Sequence, residues 1–252
     1  MAIKRKDTIE YEIDKMPMYL NEMSLSQCAR KLIEQLEDPN IGLKSAEERI
    51  IDITMAEYNT RYAKKIAKGI EDAKLKFPEA DMADYRSDPE RKINEEILFK
   101  LSECSFIDQK KNVIVSGPCG TGKTWLVCAL AIKAITQFRS VRFFSTSKLI
   151  MEMKTKDEKT YLKFLDQLAK KDLVILDDVG LMSLDYNSCR IFFDILESRY
   201  ENGSTIYISQ YPVNEWYGIF ENATYADASL SRIINKSYRL EVSGKDFRKD
   251  NS

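Results

Sequence analysis

Apolar residues recur along this chain with two different periodicities. From residue 18 to residue 78 they lie three or four positions apart, with few helix breakers before Phe77 and Pro78, which predicts a series of amphipathic helices. Farther along, short apolar runs alternate with helical patterns. Strands are predicted at 112–116, 141–144, 173–176 and 205–209, and helices at 123–138, 147–154, 158–170 and 187–200. This alternation predicts an α/β fold, with a parallel sheet flanked by helices.

The change in hydrophobic periodicity divides the chain into three parts. Residues 1–80 are predicted to form a small all-helical N-terminal domain, residues 81–96 a linker, and residues 97–252 the α/β domain. The stretch EADMADYRSDPERK at 79–92 is polar and contains a proline, which is typical of a linker or of a strap between domains.

One predicted helix of the N-terminal part has a basic face. A helical wheel of TRYAKKIAKGIEDAKLKF, residues 60–77, puts apolar side chains on one side and basic side chains on the other. The apolar face contains Tyr62, Ile66, Ile70, Ala73 and Phe77, and the basic stripe contains Arg61, Lys65, Lys68 and Lys76. Such a stripe is by itself typical of a solvated helix face, and a surface for phosphate groups is the alternative.

Composition excludes several classes of function. The chain has 252 residues, of which 44% are hydrophobic and 31% charged, and its net charge of −1 gives no general attraction to nucleic acid. It contains no histidine, which excludes His-based triads and His metal sites. The five cysteines are scattered without a CxxC pair, which favours reduced thiols. The longest apolar run, Trp125 to Ile132, is too short to span a bilayer, and the first residues lack the pattern of a signal peptide, so we expect a cytoplasmic protein with no membrane partner.

The stretch SGPCGTGKTW at 116–125 carries the clearest chemistry. Gly117 to Thr124 fits the phosphate-loop pattern GxxxxGK followed by Ser or Thr, after a predicted strand and at the start of a predicted helix. Backbone N–H groups of such a loop bind phosphates, the lysine contacts the β- and γ-phosphates, and the threonine ligates Mg²⁺. We therefore expect ATP and Mg²⁺ as cofactors. The predicted nucleotide-binding residues are Gly117, Pro118, Cys119, Gly120, Thr121, Gly122, Lys123, Thr124 and Trp125.

A second element supports a nucleotide site. LVILDD at 173–178 is an apolar strand that ends in two adjacent carboxylates. Asp177 is predicted to hold Mg²⁺ together with Thr124, and Asp178 to orient or activate the attacking water. Carboxylates at the end of a strand can also cap a turn, but the upstream phosphate loop favours the catalytic interpretation.

Several longer segments resemble the IstB-like transposition helper ATPases, AAA+ proteins of the same clade as the DnaC-type helicase loaders. The resemblance runs from about residue 18 to 249 and is carried by QLEDPN, EERI, NVIVSGPCGTGKT, VRFFSTSKLI, LVILDDVGL, STIYISQYPVNEW and YADASLSRIINKSYRLEVSG. The phosphate loop and the paired aspartates are common to many ATPases, whereas SQYPVNEW and ADASLSR are more specific to this family. The resemblance implies an AAA+ domain for the α/β part.

The resemblance also implies roles for residues outside the two motifs. Gln210 matches the sensor-1 region, where loaders usually carry Asn, and Ser209 is a rival for that role. Arg232 in ADASLSR matches an arginine finger that a neighbouring subunit receives at its nucleotide, although an aspartate of the family pattern is replaced by Ser231. Arg248 lies where relatives show Gly-x-Ser-x-Arg, and aspartate replaces the serine here.

By this resemblance the protein is expected to form ATP-dependent ring or helical homo-oligomers on duplex DNA, with little sequence preference. It would then remodel the target DNA and stimulate a cognate transposase. In that context Arg61, Lys65, Lys68 and Lys76 become candidates for DNA binding, and Lys154, Lys156, Lys159 and Lys163 form a second candidate patch. Three alternatives stay open: a DnaC-like replicative helicase loader, a monomeric small-molecule kinase, and a DNA-binding scaffold that binds ATP without turnover.

Overall fold

The computed structural model describes residues 13–83 and 93–244. Within the chain two compact units can be distinguished, residues 1–67 and residues 68–252. The division falls inside a single long helix. Arg248, the last of the residues for which the family resemblance implies a role, lies outside the described residues.

Helices build the N-terminal unit, as the sequence pattern predicts. They are α1 (Met16–Glu22), α2 (Ser26–Glu37) and α3 (Ala46–Ala73), the last of which continues into the second unit. A capping box starts α3: the backbone N–H of Ser45 donates to the Glu48 carboxylate at 2.7 Å, and the backbone N–H of Glu48 donates to the Ser45 hydroxyl at 3.2 Å. The helix α3 ends four residues before Phe77, because Lys74 adopts the left-handed conformation with φ of +54°.

The second unit is an α/β domain. After the end of α3 it contains α4 (Glu95–Ser102), α5 (Ser105–Asp108), β1 (Asn112–Ser116), α6 (Lys123–Thr136), β2 (Val141–Ser145), α7 (Thr146–Lys154), α8 (Glu158–Ala169), β3 (Leu173–Val179), α9 (Tyr186–Arg199), β4 (Ser204–Ser209), a 3-10 helix (Val213–Ile219), α10 (Ala223–Ile234) and β5 (Ser237–Glu241). Helix α4 thus begins inside the stretch predicted as linker.

All strand pairs of the sheet are parallel, and the strand order is β2-β3-β4-β1-β5. The central strands β3, β4 and β1 are buried along nearly their whole length, because helices cover the sheet. Parallel strands bring all their carboxyl ends to one edge, so the ends of β1, β3 and β4 lie side by side there. This edge carries the phosphate loop and both aspartates.

The core lies between the sheet and its helices. Helix α6 is apolar on several sides, with Leu126, Val127, Leu130 and Ala134 buried, as a helix packed within a domain requires. Phe192 of α9 and Trp216 of the 3-10 helix are among the largest fully buried side chains. In the described part of the chain, none of the helices combines the length and apolar composition that a membrane crossing requires.

Candidate nucleotide-binding site

Glycines shape the loop that joins β1 to α6. Gly117, Gly120 and Gly122 have φ angles of +146°, +79° and +82°, a region that side-chain-bearing residues rarely occupy. A Cβ on Gly117 would lie 1.9 Å from the carbonyl oxygen of Val242, so the chain just after β5 passes directly against the loop. Because α6 begins at Lys123, its first backbone N–H groups are directed toward the loop, as a phosphate site needs.

Lys123 folds back into this loop. Its ammonium donates to the carbonyl oxygens of Gly117 and Pro118, both at 2.6 Å, and the side chain is buried. The Thr121 hydroxyl also donates to the Pro118 carbonyl, at 3.0 Å. Cys119 is exposed at the tip of the loop. The loop therefore has a positive charge at its centre, which suits an anionic ligand.

Thr124 and Asp177 lie next to each other beside the loop. The Thr124 hydroxyl is 3.3 Å from each carboxylate oxygen of Asp177, and Asp177 is only 2% exposed. The Thr146 hydroxyl donates to the Asp177 backbone carbonyl at 2.8 Å, which fixes the end of β3. Burial, followed by the charge of Asp178, raises the pKa of Asp177, and the nearby Lys76 ammonium opposes the rise. The carboxylate thus lies where a cation would stabilise its charge.

Asp178 differs from its neighbour Asp177 in its backbone conformation. Its φ is +60°, and the register between β3 and β4 shifts between Leu176 and Val179. A bulge of this kind redirects a side chain at the end of a strand, and such strained conformations cluster at functional sites. The Asp178 N–H donates to the Asp177 carboxylate at 3.0 Å. The two adjacent carboxylates consequently have different environments, with Asp178 more exposed than Asp177.

Lys76 corrects one sequence-based prediction. The helical wheel places Lys76 on the basic stripe of a helix, but α3 ends at Ala73 and Lys76 lies beyond it. Its ammonium is 3.7 Å from the Asp177 carboxylate. The next residue, Phe77, packs its ring against Trp125, with 5.4 Å between the ring centroids. The helical spacing of apolar residues continues to Phe77, past the end of the helix, and therefore does not reveal the break at Lys74.

The residues that the family resemblance matches to sensor 1, Ser209 and Gln210, lie at the end of β4, next to β3. The Ser209 hydroxyl is buried, donates to the Val179 carbonyl at 2.7 Å and accepts from the backbone N–H of Tyr211 at 3.1 Å. The first bond joins the end of β4 to β3, and the second holds the turn that follows β4, so the hydroxyl is engaged both as donor and as acceptor. Gln210 is partly exposed at the same edge of the sheet. This arrangement favours Gln210 over Ser209 as the polar side chain that faces a bound nucleotide.

Arg232 lies near the end of α10, at the other end of the sheet. Its backbone carbonyl accepts from the side-chain amide of Asn112, the first residue of β1, at 3.4 Å. Its guanidinium pairs with the Glu197 carboxylate, donates to the Ala228 carbonyl at 3.1 Å and lies 4.5 Å from the centroid of the Phe193 ring. The side chain is 28% exposed, so part of the guanidinium reaches the surface.

The remaining basic residues are distributed over three helices and a turn. On α3, Arg61, Lys65 and Lys68 are exposed, and Arg61 pairs with Glu57 at 2.7 Å. In the second candidate patch, Lys154 pairs with Asp185 at 2.9 Å and Lys156 with Glu152 at 2.7 Å. Lys159 and Lys163 are exposed on α8. The second patch is thus partly neutralised by its own carboxylates.

Comparison with known proteins identifies the family. A family model described as IstB-like ATP binding protein matches residues 18–252. The chain belongs to the IstB-like ATP-binding protein family. An insertion sequence ATP-binding protein of Sinorhizobium fredii is 34% identical over 233 residues, which are 92% of this chain and 94% of that protein. The resemblance inferred from the sequence motifs is confirmed.

Solved structures support the fold of this IstB-like chain. A crystal structure of DnaI has a TM-score of 0.57 at 22% identity, over 66% of this chain and 92% of the chain in that structure. A crystal structure of the DnaC helicase loader has a TM-score of 0.52 at 22% identity, over 65% of this chain and 97% of the chain in that structure. At such identities the likeness shows the fold alone, which is the P-loop AAA+ fold with a parallel sheet flanked by helices, preceded here by N-terminal helices. The predicted fold class is confirmed.

The side chains of the IstB-like site fit a magnesium-bound nucleotide. Mg²⁺ prefers oxygen ligands, and in ATPases it is bound by one or two protein groups together with phosphate oxygens. The Thr124 hydroxyl and the Asp177 carboxylate provide two oxygen ligands side by side. Among the described residues, no cluster of three or more His, Cys, Asp or Glu could hold a metal by itself. A cation at this position would therefore share its ligands with the phosphates.

Proposed function

We propose that the chain is an ATPase that assembles on duplex DNA when ATP is bound, remodels that DNA and stimulates the transposase of an insertion sequence. The observation that carries the proposal is that the phosphate loop and Arg232 lie at opposite ends of β1 within one subunit. Membership of the IstB-like family and the name of the Sinorhizobium fredii relative support the link to insertion sequences. We also propose that the protein works in the cytoplasm, where its DNA would be.

The location of Arg232 supports assembly. Its backbone is bonded to Asn112 at the start of β1, whereas the phosphate loop follows Ser116 at the end of β1. The strand between them spans roughly 13 Å, at about 3.3 Å per residue. Arg232 therefore cannot reach the nucleotide of its own subunit, but it can be offered to that of a neighbour. An interface of this type is heterologous and generates rings or helical filaments.

The residues around the loop support ATP hydrolysis. Lys123 already lies within the loop and would exchange its bonds to the carbonyls of Gly117 and Pro118 for bonds to phosphate oxygens. Asp178 would orient the attacking water, Gln210 would contact the γ-phosphate, and a neighbour's Arg232 would stabilise the charge that develops in the transition state. Mg²⁺, held by Thr124 and Asp177, would neutralise phosphate charge. Hydrolysis would consequently depend on the presence of the next subunit.

Binding to DNA would use phosphate contacts without base reading. Lysine and arginine side chains that neutralise phosphates give affinity on any sequence, and bending of the duplex needs no base contact. The exposed Arg61, Lys65 and Lys68 of α3 are the candidates that we favour, because their i, i+4 and i+7 spacing places them on one face of the same helix. Lys76 is no longer a candidate, since its ammonium faces Asp177.

The proposal is tested by sedimentation and electron microscopy of the purified protein with ATP and Mg²⁺, with and without a long duplex of arbitrary sequence. We expect ordered oligomers that need ATP, grow on DNA and fail to form in Lys123→Ala. The Arg232→Ala variant should bind ATP with unchanged affinity but lose assembly-dependent hydrolysis. A wild-type protein that stays monomeric, ignores DNA and still hydrolyses ATP would contradict the proposal and favour a small-molecule kinase.

The likeness to DnaC supports a helicase loader as the second candidate. The family model spans the N-terminal helices as well as the AAA+ domain, whereas the likeness to DnaC covers 65% of the chain, which favours the transposition role. Pull-down with the transposase and with the replicative helicase separates the two clients. The Asp178→Asn variant distinguishes an ATPase from a scaffold that binds ATP without turnover. The substitution would abolish hydrolysis by an ATPase but would change no activity of a scaffold.

A further inference from the structure

The segment that follows α3 lies against the nucleotide site. We refer to residues 74–83 as the strap. Leu75 and Ala80 of the strap are buried in the same compact unit as the phosphate loop. The Phe77 ring packs on Trp125, the residue directly after Thr124. The backbone also closes over Cys128: burial raises the pKa of this thiol to about 11, and backbone hydrogen bonds from Phe77 and Lys76 oppose the rise.

Within the strap, Lys76 is the residue that approaches the cation ligand. Its ammonium lies 3.7 Å from the same Asp177 carboxylate that is 3.3 Å from the Thr124 hydroxyl. The carboxylate is 2% exposed and the lysine side chain is 46% exposed. A buried carboxylate without a counter-charge is costly, so the strap contributes the neutralising charge from its solvent-facing side.

We propose that Lys76 is the internal counter-ion of Asp177 and that Mg²⁺ must displace its ammonium in order to bind. The two cations compete because each uses the same carboxylate and because like charges repel at this separation. Loading of Mg²⁺ with nucleotide therefore releases the lysine, and the strap loses its link to the end of β3. Because the strap follows α3 directly, binding of Mg²⁺ at Asp177 would also change the contacts of the segment next to the end of that helix. This proposal rests on the proposed Mg²⁺ site but not on assembly or DNA binding.

The competition is tested by a Mg²⁺ titration at a saturating concentration of a fluorescent ADP analogue, with fluorescence of the bound analogue as the readout. Wild type is compared with Lys76→Met, which removes the charge, and with Lys76→Arg, which retains it. Lys74→Met is the matched control, since Lys74 is an exposed lysine of the same strap. The Mg²⁺ complex of the free analogue is the same in every titration, so ratios of midpoints report on the protein.

We expect Lys76→Met to lower the Mg²⁺ midpoint roughly two- to fivefold, the effect of a partly exposed ion pair. Lys76→Arg and Lys74→Met should titrate like wild type. An unchanged midpoint in Lys76→Met would overturn the proposal. A higher midpoint would also overturn it, because Lys76 would then act as a ligand of the phosphates and not as a competitor of the cation.

A second measurement needs no variant. Cys128 is fully buried next to the strap, and Cys189 is equally buried in α9 and serves as an internal control for unfolding. Alkylation of each cysteine is followed by peptide mass spectrometry in the ADP complex, with Mg²⁺ or with a chelator. We expect Mg²⁺ to speed the alkylation of Cys128 but not of Cys189. Equal rates at Cys128 would overturn the release of the strap. The result is independent of DNA binding, so failure of the proposed function on DNA would be seen separately.

Discussion

At the scale of single residues, the missing side chain of Gly117 shapes the phosphate loop. The φ angle of +146° and the Val242 carbonyl oxygen, 1.9 Å from where a Cβ would be, both require glycine. Any side chain here must displace either the loop or the chain that follows β5. The close contact makes the loop geometry dependent on a segment far away in sequence.

We therefore expect Gly117→Ala to weaken nucleotide binding by at least roughly tenfold, since the loop must shift to admit the methyl group. Gly218→Ala is the matched control, because a Cβ there would have no neighbour within 4 Å. Both variants are compared with wild type by titration with a fluorescent ATP analogue and by thermal unfolding. Normal affinity in Gly117→Ala would show that the loop tolerates the displacement.

The residues of the phosphate loop could be predicted from sequence because their spacing is local and each type has a specific chemical task. Asp177 and Asp178 could be predicted as a pair for the same reason, but not the difference between them. That difference arises from the shifted register at the end of β3 and from the positive φ of Asp178. The contact of Lys76 with Asp177 joins two segments that are far apart in the chain, and no local pattern reports it.

At the scale of elements, Asp185 fixes the start of α9. Its carboxylate accepts from the backbone N–H of Ser188 at 2.7 Å and pairs with Lys154 at 2.9 Å. The hydrogen bond from Lys154, followed by those from Ser188, lowers the pKa of Asp185 to about 2. The folded state thus binds the proton less tightly than the unfolded state, in which the pKa of this carboxyl is near 3.8. The stabilisation is present above pH 3.8 and is lost as the pH falls toward about 2.

Asp185→Ala should accordingly lower Tm at pH 7 by roughly 2–4 °C, the usual effect of a lost helix cap in a protein of this size. The difference from wild type should shrink as the pH is lowered from 4 toward 2, because the unfolded carboxyl and then the folded carboxyl take up a proton in that range. Asp185→Asn keeps an oxygen that can accept from the Ser188 N–H, so this variant should lose only the stabilisation that comes from the ion pair with Lys154. Thermal unfolding monitored by circular dichroism checks each curve, and a difference independent of pH would contradict the assignment.

Helix α3 carries the basic side chains proposed to contact DNA. We expect Lys65→Glu combined with Lys68→Glu to weaken binding to an arbitrary duplex and to reduce the slope of log affinity against log salt by about 2, one unit for each lost phosphate contact. Nucleotide affinity should be unchanged. Fluorescence anisotropy of a labelled duplex at several salt concentrations provides the measurement.

Lys159→Glu combined with Lys163→Glu on α8 is the matched comparison, since it makes the same change of charge on another exposed helix face. If only this second pair weakens binding, the DNA surface lies on α8 and the assignment to α3 is wrong.

The regular elements were predicted well where burial imposes a strong pattern. The bounds predicted for β1 agree with the structure, and those of α6 and α9 differ by two residues or fewer at each end. The strand β5 was not predicted, because SYRLE mixes polar and apolar residues as an edge strand does. Likewise α4 and α10 had no separate prediction. The end of α3 depends on one left-handed residue, Lys74, whose conformation the amphipathic pattern does not encode.

At the scale of the whole molecule, a complete catalytic site is expected to need two subunits. This expectation is tested by mixing Asp178→Asn with Arg232→Ala. Each variant alone should bind ATP but hydrolyse little. In a random equal mixture, about a quarter of the interfaces would combine an intact Asp178 with an intact Arg232 from the neighbour, so hydrolysis should return to about that fraction of the wild-type rate. A mixture that stays inactive would indicate that both residues must belong to the same chain.

Because Arg232 and the phosphate loop lie at opposite ends of β1, an open assembly of the proposed kind would have two unlike ends. At one end, the ATP of the last subunit would receive no arginine from a neighbour, and at the other end Arg232 of the last subunit would contact no nucleotide. The last ATP would therefore outlive those in the interior and act as a cap, as in a polar cytoskeletal filament. Growth and loss of subunits along DNA would then have a direction, and a partner that recognises only the capped end would be delivered to one side of the assembly.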